Sequence, residues 1–147
     1  MMRHVLFGCA LCAALVACGE VEDTRSGRPV WHRQEAFKAI LRAFEPMGVQ
    51  LRAEGYEPES FLRYARELER IKDEPWSFFG ADTQYPPSHS LDRLWQEREG
   101  FDTLEQDFLR ATVALKTAAE GRDEGAVRAA WAAVEKTCRD CHKGYRR

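Results

Sequence analysis

From Trp31 to Tyr145 the apolar residues recur at three- and four-residue steps, the spacing that builds one apolar face on a helix. Phe37, Ile40, Leu41, Phe44, Met47 and Leu51 form the first stripe, with Pro46 predicted to kink that helix or end it early. A second helix fits after Glu57-Pro58, with Phe61, Ala65, Leu68 and Ile71 on one face. Pro58 suits a first helical position, where its missing N–H is no loss. Residues 73–90 hold Pro75, Gly80, Pro86 and Pro87 and read as a loop anchored by Trp76, Phe78 and Phe79. A third helix starts at Ser90 or Leu91 and runs past Leu94, Phe101, Leu104, Phe108, Ala111 and Leu115, with Gly100 as its weak point. Gly121 supplies a stop and Asp123 an N-cap for the fourth helix. That helix aligns Val127, Trp131, Val134, Cys138, Cys141 and Tyr145. No strand alternation competes. The expected fold is all-α, an antiparallel four-helix bundle over residues 31–147.

The residues before the bundle have a different character. Met1 to His4 carries one arginine, and Val5 to Ala17 is an uncharged run. A spanning helix needs roughly 20 apolar residues. A basic start, a short apolar stretch and small residues at its end instead form a secretory signal, residues 1–17. Leu15-Val16-Ala17-Cys18 resembles the bacterial lipobox, which would make Cys18 the lipidated N-terminus of the mature chain. Ordinary signal cleavage, with Cys18 as a spare thiol or removed, is the alternative. Gly19 stands where an inner-membrane retention signal would have Asp, so the expected location is the periplasm, lipid-anchored, at the outer membrane rather than the inner. Residues 18–30 are polar and turn-rich and read as a tether.

This division sorts the cysteines. Of five, Cys9 and Cys12 lie inside the removable run, with Ala13 after them, and behave as small hydrophobes. Cys18, Cys138 and Cys141 remain. The 147 residues carry a formal charge of −2, which gives no basic footprint for a nucleic-acid partner. No Ser-His-Asp set, phosphate loop or carboxylate pair suggests a hydrolase or phosphotransferase, so no enzymatic activity is expected.

The chemistry concentrates at Cys138-Arg139-Asp140-Cys141-His142, a C-x-x-C-H motif of the kind that attaches c-type haem covalently. On a helix, residues i and i+3 share a face about 5–6 Å apart, so two thiols can meet two vinyl groups of one haem. His142 follows directly, placed to offer a ring nitrogen to the iron. A structural disulfide, a redox dithiol and half of a zinc site compete for the same cysteines. A redox dithiol would sit in a thioredoxin-like βαβ pattern, which is missing. A zinc site would have to recruit His32 or His89.

With the motif near the end of a bundle, the chain resembles the class II c-type cytochromes, the cytochrome c′ family, over about residues 30–147. Cys138 through Arg146 matches that family's C-x-x-C-H-x-x-Y/F-R ending, including Tyr145. His32-Arg33-Gln34-Glu35-Ala36-Phe37-Lys38 is similar to its first-helix segment, and Pro75-Trp76-Ser77-Phe78-Phe79-Gly80 to its aromatic connection. The resemblance implies one covalently attached haem c, with Cys138 and Cys141 as thioether residues and His142 as the proximal iron ligand. It puts Arg33 near a haem propionate, Phe37 over the distal face, Trp76 and Phe79 at the haem edge, and Arg146 beside the proximal histidine. Read from the residues alone, Phe37 could be a core aromatic, Arg33 a solvated charge and Arg146 a cation at a helix C-terminus.

Low-spin members of that family place a Met where this chain has Phe37. Met47 lies ten residues on, roughly 15 Å along the axis. His32 is about 140° around the helix from Phe37, and His89 falls in the loop as a solvated residue. The expectation is therefore open, five-coordinate iron that takes nitric oxide or carbon monoxide, disfavours dioxygen, and passes single electrons. A six-coordinate cytochrome acting purely in electron transfer is the alternative, and a haem-free, disulfide-bonded lipoprotein bundle a third reading. A redox partner protein and a homodimer through the first two helices complete the expected partners.

Overall fold

A computed structural model of the chain describes residues 21–53 and 55–147. The signal 1–17, Cys9, Cys12 and Cys18 lie outside the described residues. Helix α1 (Pro29–Arg52) begins with proline at its first turn and keeps Pro46 in its interior. Of the kink or early end expected at Pro46, the early end does not occur. Val30, Ile40, Phe44, Met47 and Leu51 are all buried along its length, so packing on both sides of Pro46 outweighs the lost backbone hydrogen bond. Helix α2 (Pro58–Ile71) starts at Pro58 and buries Phe61, Leu62, Ala65, Leu68 and Ile71.

The expected single third helix is two. A short α3 (Arg93–Gln96) precedes α4 (Arg98–Gly121), and the break falls at Glu97, whose φ of −118° and ψ of 48° leave the helical region. Gly100 is not the weak point. It lies inside α4, and a Cβ there would stand 2.6 Å from the Tyr145 hydroxyl. Its missing side chain admits the end of α5 (Glu124–Tyr145). Arg122, not a glycine, takes the left-handed backbone after α4, with φ of 58°. Asp123 then caps α5, its carboxylate accepting from Ala126 N at 2.7 Å.

Helices α1, α2, α4 and α5 form the four-helix bundle, with neighbouring pairs α1–α2, α2–α4 and α4–α5 in contact. One core cluster, including Phe44, Met47, Phe61, Leu68, Leu115 and Val134, runs through it. Burying each such side chain contributes about 1.5–3 kcal/mol. A second cluster of Phe79, Leu94, Phe101 and Tyr145 sits at the other end, packed by Phe37, Trp76 and Cys141. There the end of α5 is stitched to the preceding loop: Leu91 N donates to Tyr145 O at 2.9 Å and Arg147 N to His89 O at 3.0 Å. Among the described residues no helix is long and apolar enough to cross a membrane.

Within the segment expected as a tether, Asp23 is bonded to the start of α1. Asp23 is only 2% exposed, and its carboxylate accepts from Trp31 N at 3.0 Å in the first turn of α1. Arg28, the residue at the cap itself, supplies no side-chain hydrogen bond. Asp23 thus caps α1 from a distance.

Candidate functional site

A cavity of about 390 Å³ opens between α1, α4 and α5 at the end of the bundle that holds the second cluster. Arg33, Phe37, Trp76, Phe79, Cys138, Cys141, His142, Tyr145 and Arg146 all line it. Residues as far apart in sequence as Arg33 and Arg146 therefore meet at one place. Gln34, Ile40, Leu41, Leu94, Leu104, Phe108 and Thr137 also face it, and none of them was singled out from the sequence as a site residue.

The α5 wall carries the reactive side chains because Cys138, Cys141, His142 and Tyr145 share one helix face at three- and four-residue steps. Cys138 and Cys141 are separate thiols, not a disulfide. Burial pushes both thiols up, Cys141 to about 11. A redox cysteine needs a readily formed thiolate, and burial here favours the protonated thiol. Among the described residues no cluster of three or more His, Cys, Asp or Glu could hold a metal ion by itself. The His142 imidazole is partly desolvated, and that desolvation, followed by the Arg146 charge, lowers its pKa below the ordinary histidine value.

Across the cavity stands an aromatic group. Phe37 is half-buried, edge-on to Trp76 at 5.5 Å and to Phe79 at 6.2 Å between ring centroids. Phe79 in turn lies 4.9 Å from Phe101, and Phe101 meets Tyr145 edge-on at 5.6 Å. The one indole N–H in this group is already used: Trp76 Nε1 donates to Lys72 O at 2.7 Å. The candidate alternative iron ligands lie elsewhere. Met47 is fully buried in the main core, and His32 is exposed and stacks on Phe78 at 5.2 Å, away from the cavity lining. His89 is exposed, as expected, and reaches the cavity rim.

Arg33 differs from its reading as a solvated charge. It is 3% exposed, and its guanidinium donates to Phe78 O at 3.3 Å, Thr83 Oγ1 at 3.0 Å, Thr83 O at 3.2 Å and Ser88 Oγ. It also lies 4.7 Å over the Phe79 ring. Every one of these partners is neutral, and burial lowers its pKa. The sequence held no signal for Thr83 and Ser88, because their partner is some fifty residues away.

The donor set can be tested against the group implied by the motif. The cavity interior is apolar and aromatic. Two thiols and an imidazole on α5 line it, as do the cations Arg33, Lys38 and Arg146. Among the described residues no Asp or Glu lines it, although the chain has more acidic than basic residues. An apolar cavity lined also by cations and by no described carboxylate fits a flat apolar group bearing two carboxylates, which is what haem is. Buried Arg33, bonded only to neutral groups, adds a positive charge that such a carboxylate would complement.

Fold and site together define a class: a haem-binding four-helix bundle with its attachment motif at the C-terminal end. The chain belongs to the cytochrome c′ family, whose family model matches residues 28–146. It is 26% identical over 119 residues to cytochrome c′ of Alcaligenes xylosoxydans xylosoxydans, covering 80% of this chain and 92% of that protein. The solved cytochrome c′ of Shewanella frigidimarina superposes with a TM-score of 0.80 at 26% identity, over 84% of this chain and 98% of that one. Two variants of the Alcaligenes xylosoxidans protein, one solved with nitric oxide and one with carbon monoxide, each give 0.78 at 25% identity, over 86% of this chain and 99% of theirs. Proteins of this family carry one covalently bound haem c, and that is the cofactor of this chain.

Proposed function

We propose that this protein is a non-enzymatic, periplasm-facing haem protein with five-coordinate iron that binds nitric oxide or carbon monoxide and passes single electrons. Cys138 and Cys141 hold the haem through thioethers, and His142 ligates the iron from the α5 side. When bound, the haem supplies an iron centre that changes oxidation state by one electron and has one position open to a diatomic ligand.

The observation that carries this reading is the α1 side of the cavity. Phe37, Ile40 and Leu41 line it without a ligating atom. Of their polar neighbours, Arg33 is held by the 78–88 segment, Gln34 Nε2 donates to Pro87 O at 3.2 Å, and Lys38 Nζ donates to Glu35 at 2.8 Å. The chain's own residues then do three things. Phe37 crowds the open side, the Trp76 carbonyl bond withholds the one indole donor, and the aromatic wall excludes water. Dioxygen depends on a hydrogen-bond donor to be held, and nitric oxide and carbon monoxide far less, so this lining favours the latter two. The solved nitric oxide and carbon monoxide complexes of the Alcaligenes xylosoxidans relative support the same reading. Absorption spectra of the ferrous protein with and without each gas test it.

His89 on the cavity rim supports a second reading, a six-coordinate cytochrome serving electron transfer alone. His89→Ala separates the two: it changes the ferric spectrum only in the six-coordinate case. For location, the lipobox-like Leu15-Val16-Ala17-Cys18 supports a lipid anchor. Expression of the full chain followed by membrane fractionation tests this, with Cys18→Ala predicted to release the protein into the soluble fraction.

A further inference from the structure

The loop over residues 80–90 is gripped from two sides, and the outer grip starts in the segment before α1. On the inner side Arg33 donates to Thr83 and Ser88. On the outer side the Asp23 carboxylate accepts from the Tyr85 hydroxyl at 3.0 Å, from Trp31 N at 3.0 Å and from Arg25 N at 3.2 Å. Arg25 closes over the same residue, its guanidinium 4.1 Å from the Tyr85 ring centroid and bonded to Asp82 O at 3.3 Å. Tyr85 stands between Thr83 and Ser88 in the chain, so the outer grip fixes the loop between its two residues that hold Arg33.

We propose that Asp23 is a positioning residue for Arg33, acting through Tyr85 to keep Thr83 and Ser88 where they cradle the guanidinium at the cavity wall. The physical reason lies in what Arg33 lacks. Its direct partners are neutral, so its place at the wall depends on several ordinary hydrogen bonds acting together. Two of the three residues providing them, Thr83 and Ser88, belong to a loop with little regular structure, and such loops open readily unless tied down. If the outer grip is lost, the loop loosens and the guanidinium turns back toward water. The cavity wall then loses its fixed cation, and a haem in the cavity loses a charge that favours its reduced state.

This consequence rests on the cavity being the haem site; the loop-holding itself does not. The experiment uses the haem-loaded protein and two substitutions, Asp23→Ala and Tyr85→Phe. Hydrogen exchange should speed by about tenfold at Thr83 and Ser88, whose N–H groups bond Gly80 O and Tyr85 O. The reduction potential should fall in both variants. The direction is informative for Asp23→Ala, because merely deleting a nearby negative charge would raise it. Tyr85→Phe changes no charge at neutral pH and isolates the positional effect. In an Arg33→Leu background Tyr85→Phe should leave the potential unmoved, and Asp23→Ala should no longer lower it, leaving only the rise that loss of its negative charge brings. Unchanged exchange in both variants, or faster exchange with an unmoved potential in Tyr85→Phe, overturns the proposal. A potential indifferent to Arg33→Leu itself overturns the placement of Arg33 beside the haem, a failure distinguishable from that of the grip.

Discussion

Trp131 occupies the space that a side chain at residue 48 would need. A Cβ on Gly48 would stand 2.6 Å from Trp131 Cζ2, and the indole cannot step aside because it lies flat on Phe44, with centroids 4.9 Å apart and planes 3° from parallel. This contact joins α1 to α5 in the main core, away from the cavity. Gly48→Ala gains helix propensity but overpacks a rigid stack, for a net loss of roughly 1–2 kcal/mol. Denaturant unfolding of the haem-loaded protein measures it, and the absorption spectrum should not change. A variant as stable as the parent would contradict the packing described.

Phe37 is the ring proposed to crowd the open side of the cavity. Phe37→Ala should speed carbon monoxide binding to the ferrous protein by about tenfold, the equivalent of removing roughly 1.4 kcal/mol of barrier. Flash photolysis or stopped-flow mixing reads the rate. An unchanged rate would remove Phe37 from that role and leave it a packing residue against Trp76 and Phe79.

Asp23 links stability to acid. Desolvation raises its pKa, but the hydrogen bonds from Trp31 N, Arg25 N and Tyr85 outweigh that and hold the carboxyl below its ordinary 3.8. A group with a depressed folded pKa stabilises the fold fully above its unfolded value, and that contribution fades as pH falls through the folded value. Asp23→Asn should therefore be less stable than the parent by about 1 kcal/mol at neutral pH. The gap should narrow only once the pH drops below 3.8. Urea unfolding across pH 3 to 7 tests the sign, and a gap that grows on acidification would contradict it.

The parts of this molecule that repeat locally could be read from the sequence. The stripes of α1, α2, α4 and α5, the proline start of α2 and the Asp123 cap all depend on residues within a few positions of one another. So does C-x-x-C-H, whose spacing is itself the chemistry. Arg33 could not be read this way: next to Gln34 and Glu35 it looks solvated, and only Thr83 and Ser88, brought in by the fold, bury it. The same holds for Asp23, whose partner Tyr85 is distant in sequence, and for Gly100, which looks like a helix weakness until Tyr145 is set against it. The break at Glu97 has no glycine or proline to announce it. Resemblance to a family supplied the roles expected of Phe37 and Arg146; helix periodicity alone would have left them as core and charge.

The central claim is an open iron position over an apolar α1 face. Absorption spectra of the ferric and dithionite-reduced protein, recorded with and without nitric oxide, test it most directly. High-spin spectra in both oxidation states, with a clear change when nitric oxide is added to the reduced protein, are predicted. A low-spin reduced spectrum that nitric oxide leaves unchanged would contradict the account.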